Sequence, residues 1–101
     1  MPKAPAPSLR LVFARNVRLV RIDAGMSQER LADEAELDRT FVGTLERGLR
    51  NISIDNIELL AKALGTPAGE LLNPDLARER GLDVTVTRAP RTARPYPVRK
   101  R

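Results

Sequence analysis

The side chains of this chain with chemistry to offer cluster in one stretch, LDRTFVGTLERG, residues 37–48. Arg39, Thr40, Gly43 and Thr44 fall at i, i+1, i+4 and i+5, so on a helix they share one face. An arginine fork there could make two hydrogen bonds to guanine O6 and N7. The threonines could donate, accept, or touch a thymine methyl. The plainer reading is a solvated polar face, and the residues alone leave both open. Covalent and acid–base chemistry has little to work with. The chain has no cysteine and no histidine. Disulfides and thiolate metal sites are therefore excluded, and the commonest general base and metal ligand are missing. No cofactor is implied, and no metal site. With no phosphate-binding glycine motif and no convincing carboxylate pair, an enzyme is the last of the function classes to consider.

Charge points in the same direction. The net charge of the 101 residues is +5, and its distribution is uneven. Residues 1–26 carry five basic side chains and one acidic, a net +4. Residues 27–72 carry five basic and nine acidic, a net −4. Residues 73–101 carry eight basic and three acidic, a net +5. A basic excess favours a polyanionic partner. In the acidic middle, binding would depend on a few placed cations, with the basic ends assisting.

The elements that must position these groups are helical. With two Phe, one Tyr and no Trp, the core must be aliphatic. Phe13, Val17, Val20 and Ala24 form one stripe of a first helix, which Gly25 ends in the manner of a left-handed cap. Ser27 caps QERLADEA, with Leu31, Ala32 and Ala35 inward. Asp38 caps the next helix, about 38–47. Leu37 and Val42 take staple positions around that cap, and Val42 and Leu45 face inward. Gly48 closes this helix. Ser53 caps IDNIELLAKALG, whose stripe is Ile54, Ile57, Leu60, Ala61 and Leu64, ending at Gly65. Thr66 and Pro67 open a fifth helix, roughly 67–72, as N-cap and N1. DLARER offers one more turn. Alternation of Leu82, Val84 and Val86 predicts a short strand over 82–88. Residues 1–8 read as a flexible proline-rich lead-in, and 89–101 as a disordered basic tail. The domain proper spans 9–73, and 74–101 form a basic extension. No apolar run approaches the roughly 20 residues of a membrane span, and MPKAPAPS lacks a signal-peptide core. A cytoplasmic protein is expected.

Two short helices joined by a tight turn, between two longer ones, form a helix-turn-helix arrangement. From about Phe13 to Leu72 the chain resembles the phage lambda repressor/Cro-like helix-turn-helix family, the XRE-type regulators. The residues that carry the resemblance are Arg21, GMSQERLA (25–32), LDRTFVGTLERG (37–48), Arg50-Asn51-Ile52-Ser53 and LLAKALGTPAGEL (59–71). The wording is most similar to that of the controller proteins of restriction–modification systems. The resemblance implies an all-α, five-helix DNA-binding domain. It places Arg39, Thr40, Gly43 and Thr44 against base edges. It places Gln28, Arg47, Arg50 and Asn51 on the DNA backbone. It also pairs Arg21 with Glu46 in a partly buried structural ion pair. Two positions depart from the pattern. Glu36 stands where a glycine is usual in the turn, and Leu49 where the family is often basic.

The function expected is a transcriptional regulator, homodimeric on a palindromic or pseudo-palindromic operator in double-stranded DNA. Leu71, Leu72 and Leu76 are the expected dimer surface, although they could instead complete the monomer core. An antitoxin-type module is the alternative. It would bind DNA with the same domain and a second protein through the C-terminal extension.

Overall fold

The computed structural model describes residues 8–86. The lead-in 1–7, residues 87–88 of the expected strand and the basic tail 89–101 lie outside the described residues. Six helices follow in order: α1 (Leu9–Asp23), α2 (Gln28–Ala35), α3 (Arg39–Glu46), α4 (Ile54–Leu64), α5 (Ala68–Leu71) and α6 (Leu76–Arg80). The all-α, lambda repressor-like fold is as expected, with α6 added.

Side-chain caps set the helix starts. Ser8, Ser27, Asp38 and Ser53 each accept a hydrogen bond from a backbone N–H in the first turn of the helix they precede. The N-cap at Ser8 lies at the edge of the predicted lead-in. Left-handed residues set most of the ends. Gly25, Gly65 and Gly81 have φ of 75°, 63° and 66°, a region that carries little steric penalty only for glycine. Gly48, at φ 76°, has a second reason to be glycine. That reason is the weaker one, because a Cβ there would meet only the end of the half-exposed Leu11 side chain, which can move aside.

The core is aliphatic around one aromatic ring. Phe13, Val17, Val20, Leu31, Val42, Leu45, Leu60, Leu71 and Leu76 are all buried in one cluster. α1 is the central element, packing on α3, α4, α5 and α6, while α2 packs on α3 and α4. This explains why α1 buries Val12, Ala14 and Leu19 in addition to its predicted stripe. It also buries Asn16, whose Nδ2 donates to the carbonyls of Leu71 (2.9 Å) and Asn73 (2.8 Å). Arg15 adds a hydrogen bond from Nη2 to the Pro74 carbonyl, 2.8 Å long. These bonds fasten α1 to the end of α5 and the turn into α6.

The structure corrects five expectations. There is no strand in residues 82–86. Asp83 instead starts a turn, accepting from the Thr85 hydroxyl (2.6 Å) and backbone N–H (2.9 Å). Those two bonds, the hydroxyl first, hold the Asp83 carboxyl below the usual aspartate range. Short alternation was too weak a signal without a partner strand. Second, Thr66 does not cap α5. Pro67 is the N-cap residue and makes no side-chain cap bond, and the buried Thr66 hydroxyl faces the Leu64 carbonyl and Arg80. Third, Ile54 is 78% exposed. Helical side chains lean toward the N-terminus, so a residue opening α4 overhangs its end. Fourth, Leu71 and Leu76 are 0% and 1% exposed within the single chain. They complete the monomer core, and only Leu72 of the three expected dimer residues keeps part of its surface. Fifth, the packed domain passes the expected boundary at residue 73, because Leu76 and Ala77 are buried and Leu82 packs against the core.

Glu36 settles the geometry of the turn. It is the one non-glycine residue with positive φ among those described, at φ 58° and ψ 43°. The turn therefore keeps its left-handed form rather than rearranging around the larger residue. A non-glycine residue in that region is penalised by roughly 1–2 kcal/mol. We expect Glu36→Gly to stabilise the domain by about 1 kcal/mol, less than the full penalty because glycine also loosens the unfolded chain. Urea denaturation midpoints at matched slope will show this, and a destabilised variant would mean Glu36 holds the turn through its side chain.

Candidate nucleic-acid interface

Residues 36–38 join α2 to α3, and the two helices pack against each other. Gln28, Arg39, Thr40, Gly43, Thr44 and Arg47 together line an open cleft of about 380 Å³. The structure thus brings together all four residues expected to face bases and two of the four expected on the backbone. Their helix buries Val42 and Leu45 on its other side. Gly43 adds space here: a Cβ would meet only Gln28 Oε1, at an ordinary 3.7 Å.

Arg50 and Asn51 lie just beyond, between α3 and α4. Arg50 donates from Nε to Thr44 Oγ1 (2.9 Å), and its guanidinium carbon sits 5.4 Å from the centre of the Phe41 ring. Cation–π attraction adds to that placement. Thr44 is consequently engaged. Its hydroxyl hydrogen is directed at the Thr40 and Phe41 carbonyls, 3.0 Å from each, and its oxygen accepts from Arg50. What Thr44 can still offer a ligand is its methyl and one acceptor lone pair, but no donor. Asn51 Oδ1 accepts from Arg10 Nη1 at 3.3 Å, which brings the first turn of α1 to the same edge. Arg10 was visible in the sequence only as part of the basic N-terminal charge. Its partner lies 41 positions away, beyond any local pattern.

The cleft rests on a buried ion pair. Arg21 on α1 reaches Glu46 on α3 with two parallel hydrogen bonds, Nε to Oε2 at 2.7 Å and Nη2 to Oε1 at 2.9 Å. The two side chains are 4% and 3% exposed. Arg21 Nη1 also donates to the Met26 carbonyl at 2.8 Å, and Gln28 Nε2 donates to Glu46 Oε1 at 3.1 Å. The ion pair therefore joins α1, the turn after it, α2 and α3. Gln28, expected on the DNA backbone, has one amide hydrogen held by Glu46 and lines the cleft.

One contact had no signal in the sequence. Arg39 Nη1 donates to Glu29 Oε2 at 2.8 Å, across the turn between α2 and α3. Ten positions separate the two residues, a spacing that belongs to no helical pattern.

Comparison with known proteins agrees with this geometry. The helix-turn-helix family model matches residues 17–71. Control protein C.BamHI of Bacillus amyloliquefaciens is 48% identical over 67 residues, which cover 65% of this chain and 83% of that protein. The crystal structure of the hypothetical transcription factor NHTF from Neisseria superposes with a TM-score of 0.68 at 44% identity, covering 79% of this chain and 95% of that one. The restriction–modification controller protein C.Esp1396I, solved as a tetramer in complex with its natural 35 base-pair operator, gives a TM-score of 0.61 at 33% identity, covering 66% of this chain and 92% of that one. The chain belongs to the helix-turn-helix family. Within it, the chain is a transcriptional regulator of the restriction–modification controller type.

The Arg21–Glu46 pair yields a stability prediction. Removing one partner of a buried pair strands the other charge, at a cost of about 3–5 kcal/mol. Arg21→Met and Glu46→Leu should each lose that much in chemical denaturation. The double variant should recover most of the loss, since an apolar pair of similar volume leaves no stranded charge. Additive losses would show instead that the two charges act independently, and a double variant that loses as much as either single one would show the pair to be net stabilising.

Proposed function

We propose that the chain binds a specific double-stranded DNA operator as a homodimer, with α3 of each copy in the major groove and the operator palindromic or nearly so. The observation that carries this is the cleft. Arg39, Thr40, Gly43 and Thr44 line it beside Gln28 and Arg47, while the same helix is anchored from behind by Val42, Leu45 and Glu46. Arg39 and Thr40 would read base edges. Thr44 would present its methyl, and Gly43 would let the backbone approach. Gln28, Arg47, Arg50 and Asn51 would hold phosphates and set the register. Two such helices would enter grooves about 34 Å apart. A related controller protein occupying its operator as a tetramer supports assembly in more than one copy. With Leu71 and Leu76 buried, the dimer contact would use other surface near α4 and α5, where Ile54 and part of Leu72 remain accessible. No observation among the described residues favours the antitoxin-type alternative.

Selection of bound duplexes from a random pool tests the proposal directly. A shared inverted repeat is the expected result, and a pool with no common sequence would sink it. Arg39→Ala should then relax discrimination at one base pair per half-site by about 1–3 kcal/mol. Arg50→Ala should weaken all duplexes more evenly and lower the salt slope by about one unit per subunit. Gly43→Leu separates binding from folding. Its thermal midpoint should match or exceed the wild type, because glycine is a poor helix former, while affinity for the selected duplex drops about tenfold or more. Retained affinity would remove Gly43 from the interface.

A further inference from the structure

We infer that Glu29 is a positioning residue that sets the specificity of Arg39, an inference that rests on the reading of Arg39 as a base-contacting residue. The contact is the 2.8 Å hydrogen bond from Arg39 Nη1 to Glu29 Oε2, made between the first turns of α2 and α3. The two side chains are 68% and 69% exposed. An ion pair so open to water contributes little to folding, so its value must be sought at the surface it forms. The cleft has two arginines, Arg39 and Arg47. Among the described residues, Arg39 is paired with a carboxylate and Arg47 makes no ion pair.

The chemistry separates two kinds of DNA contact. A guanidinium has five N–H donors in a rigid plane. Glu29 takes a hydrogen of Nη1 and leaves the Nη2 and Nε edge open, itself a two-donor fork that fits guanine O6 and N7. Held at one corner, the flexible arginine is presented in a narrow range of orientations, so less freedom is lost on meeting its base. A phosphate contact is affected in the opposite way. The open fork could also take a backbone phosphate, but the carboxylate beside the cleft repels that anion, while a neutral base edge is not repelled in this way. Glu29 therefore favours base contact by Arg39 and disfavours its use as a general DNA anchor. Arg47 and Arg50, without a carboxylate partner, are left to the backbone.

The test compares full-length wild type, Glu29→Ala, Arg39→Ala and the double variant. Each is titrated with the duplex selected by the wild type, with single base-pair substitutions of it, and with an unrelated duplex. The pair read by Arg39 is the one whose substitution weakens the wild type but not Arg39→Ala. We expect Glu29→Ala to reduce discrimination at that base pair by about fivefold or more. Discrimination elsewhere should be unchanged, and affinity for the unrelated duplex should rise. In the Arg39→Ala background, Glu29→Ala should change no discrimination ratio. Unfolding midpoints should stay constant between wild type and Glu29→Ala. If Glu29→Ala instead strengthens every duplex equally, Glu29 is only a repulsive charge and the inference fails while Arg39 keeps its role. A loss of discrimination that persists without Arg39 also overturns it. If Arg39→Ala itself leaves discrimination intact, the reading of the site fails and this inference fails with it.

Discussion

The bidentate pair between Arg21 and Glu46 is the contact on which the rest of the arrangement depends. α3 is only eight residues long, and isolated helices of that length are unstable in water. Its position has to come from tertiary contacts. Val42 and Leu45 supply apolar burial, which is favourable but non-directional. The pair supplies direction. Two parallel hydrogen bonds fix the azimuth of α3 against α1, the bond to the Met26 carbonyl ties in the turn before α2, and Gln28 closes the set on Glu46. With both ions buried, any other orientation would leave a charge without a partner. The polar face of α3 is thereby aimed outward as a consequence of what is fixed behind it.

A second constraint is the handedness of the chain between α2 and α3. Glu36 holds a left-handed conformation that disfavours its residue type, and the neighbouring caps stabilise both helices around it. The Asp38 side chain accepts from the Thr40 N–H, and the Leu37 N–H donates to the Ala32 carbonyl at 2.8 Å. Leu37, partly buried, packs against the core cluster that includes Val42. The backbone pays a small local strain, and the angle between the two helices is kept. Behind them, Asn16 and Arg15 secure α5 and the turn into α6 to α1, which makes α1 the common support for both ends of the domain.

Much of this was legible one residue at a time. Ser27, Asp38 and Ser53 announced their helices because a cap acts on backbone N–H groups two or three positions away. Gly25, Gly48 and Gly65 announced the ends for a similarly local reason. The inward stripes of α1, α2 and α4 were readable from their period, apart from Ile54 at the end of its helix. The strand expected over 82–88 does not form in residues 82–86 because a strand is defined by a neighbour, and none stands beside them among the described residues. The leucines of α5 and α6 were ambiguous between dimer and core, since an apolar side chain does not say which surface it covers. Of the site, the polar face of α3 followed from spacing. The Arg21–Glu46 pair and the roles of Gln28, Arg47, Arg50 and Asn51 came only through the family resemblance. Glu29 had no signal at all, and Arg10 had none beyond its share of the basic N-terminal charge.

The sequence by itself determined where the first four helices begin and end, most of their apolar faces, and that Arg39, Thr40, Gly43 and Thr44 share a side of one short helix. Those properties depend on interactions within a few positions along the chain. The tertiary structure decided what each polar group is free to do. It engaged the Thr44 hydroxyl with Arg50, held Gln28 on Glu46, coupled Arg39 to Glu29, and buried Leu71 and Leu76. Each of these depends on atoms from separate segments meeting within hydrogen-bond or van der Waals distance. Their spacing along the chain, from six to several tens of residues, carries no periodicity from which such a meeting could be read.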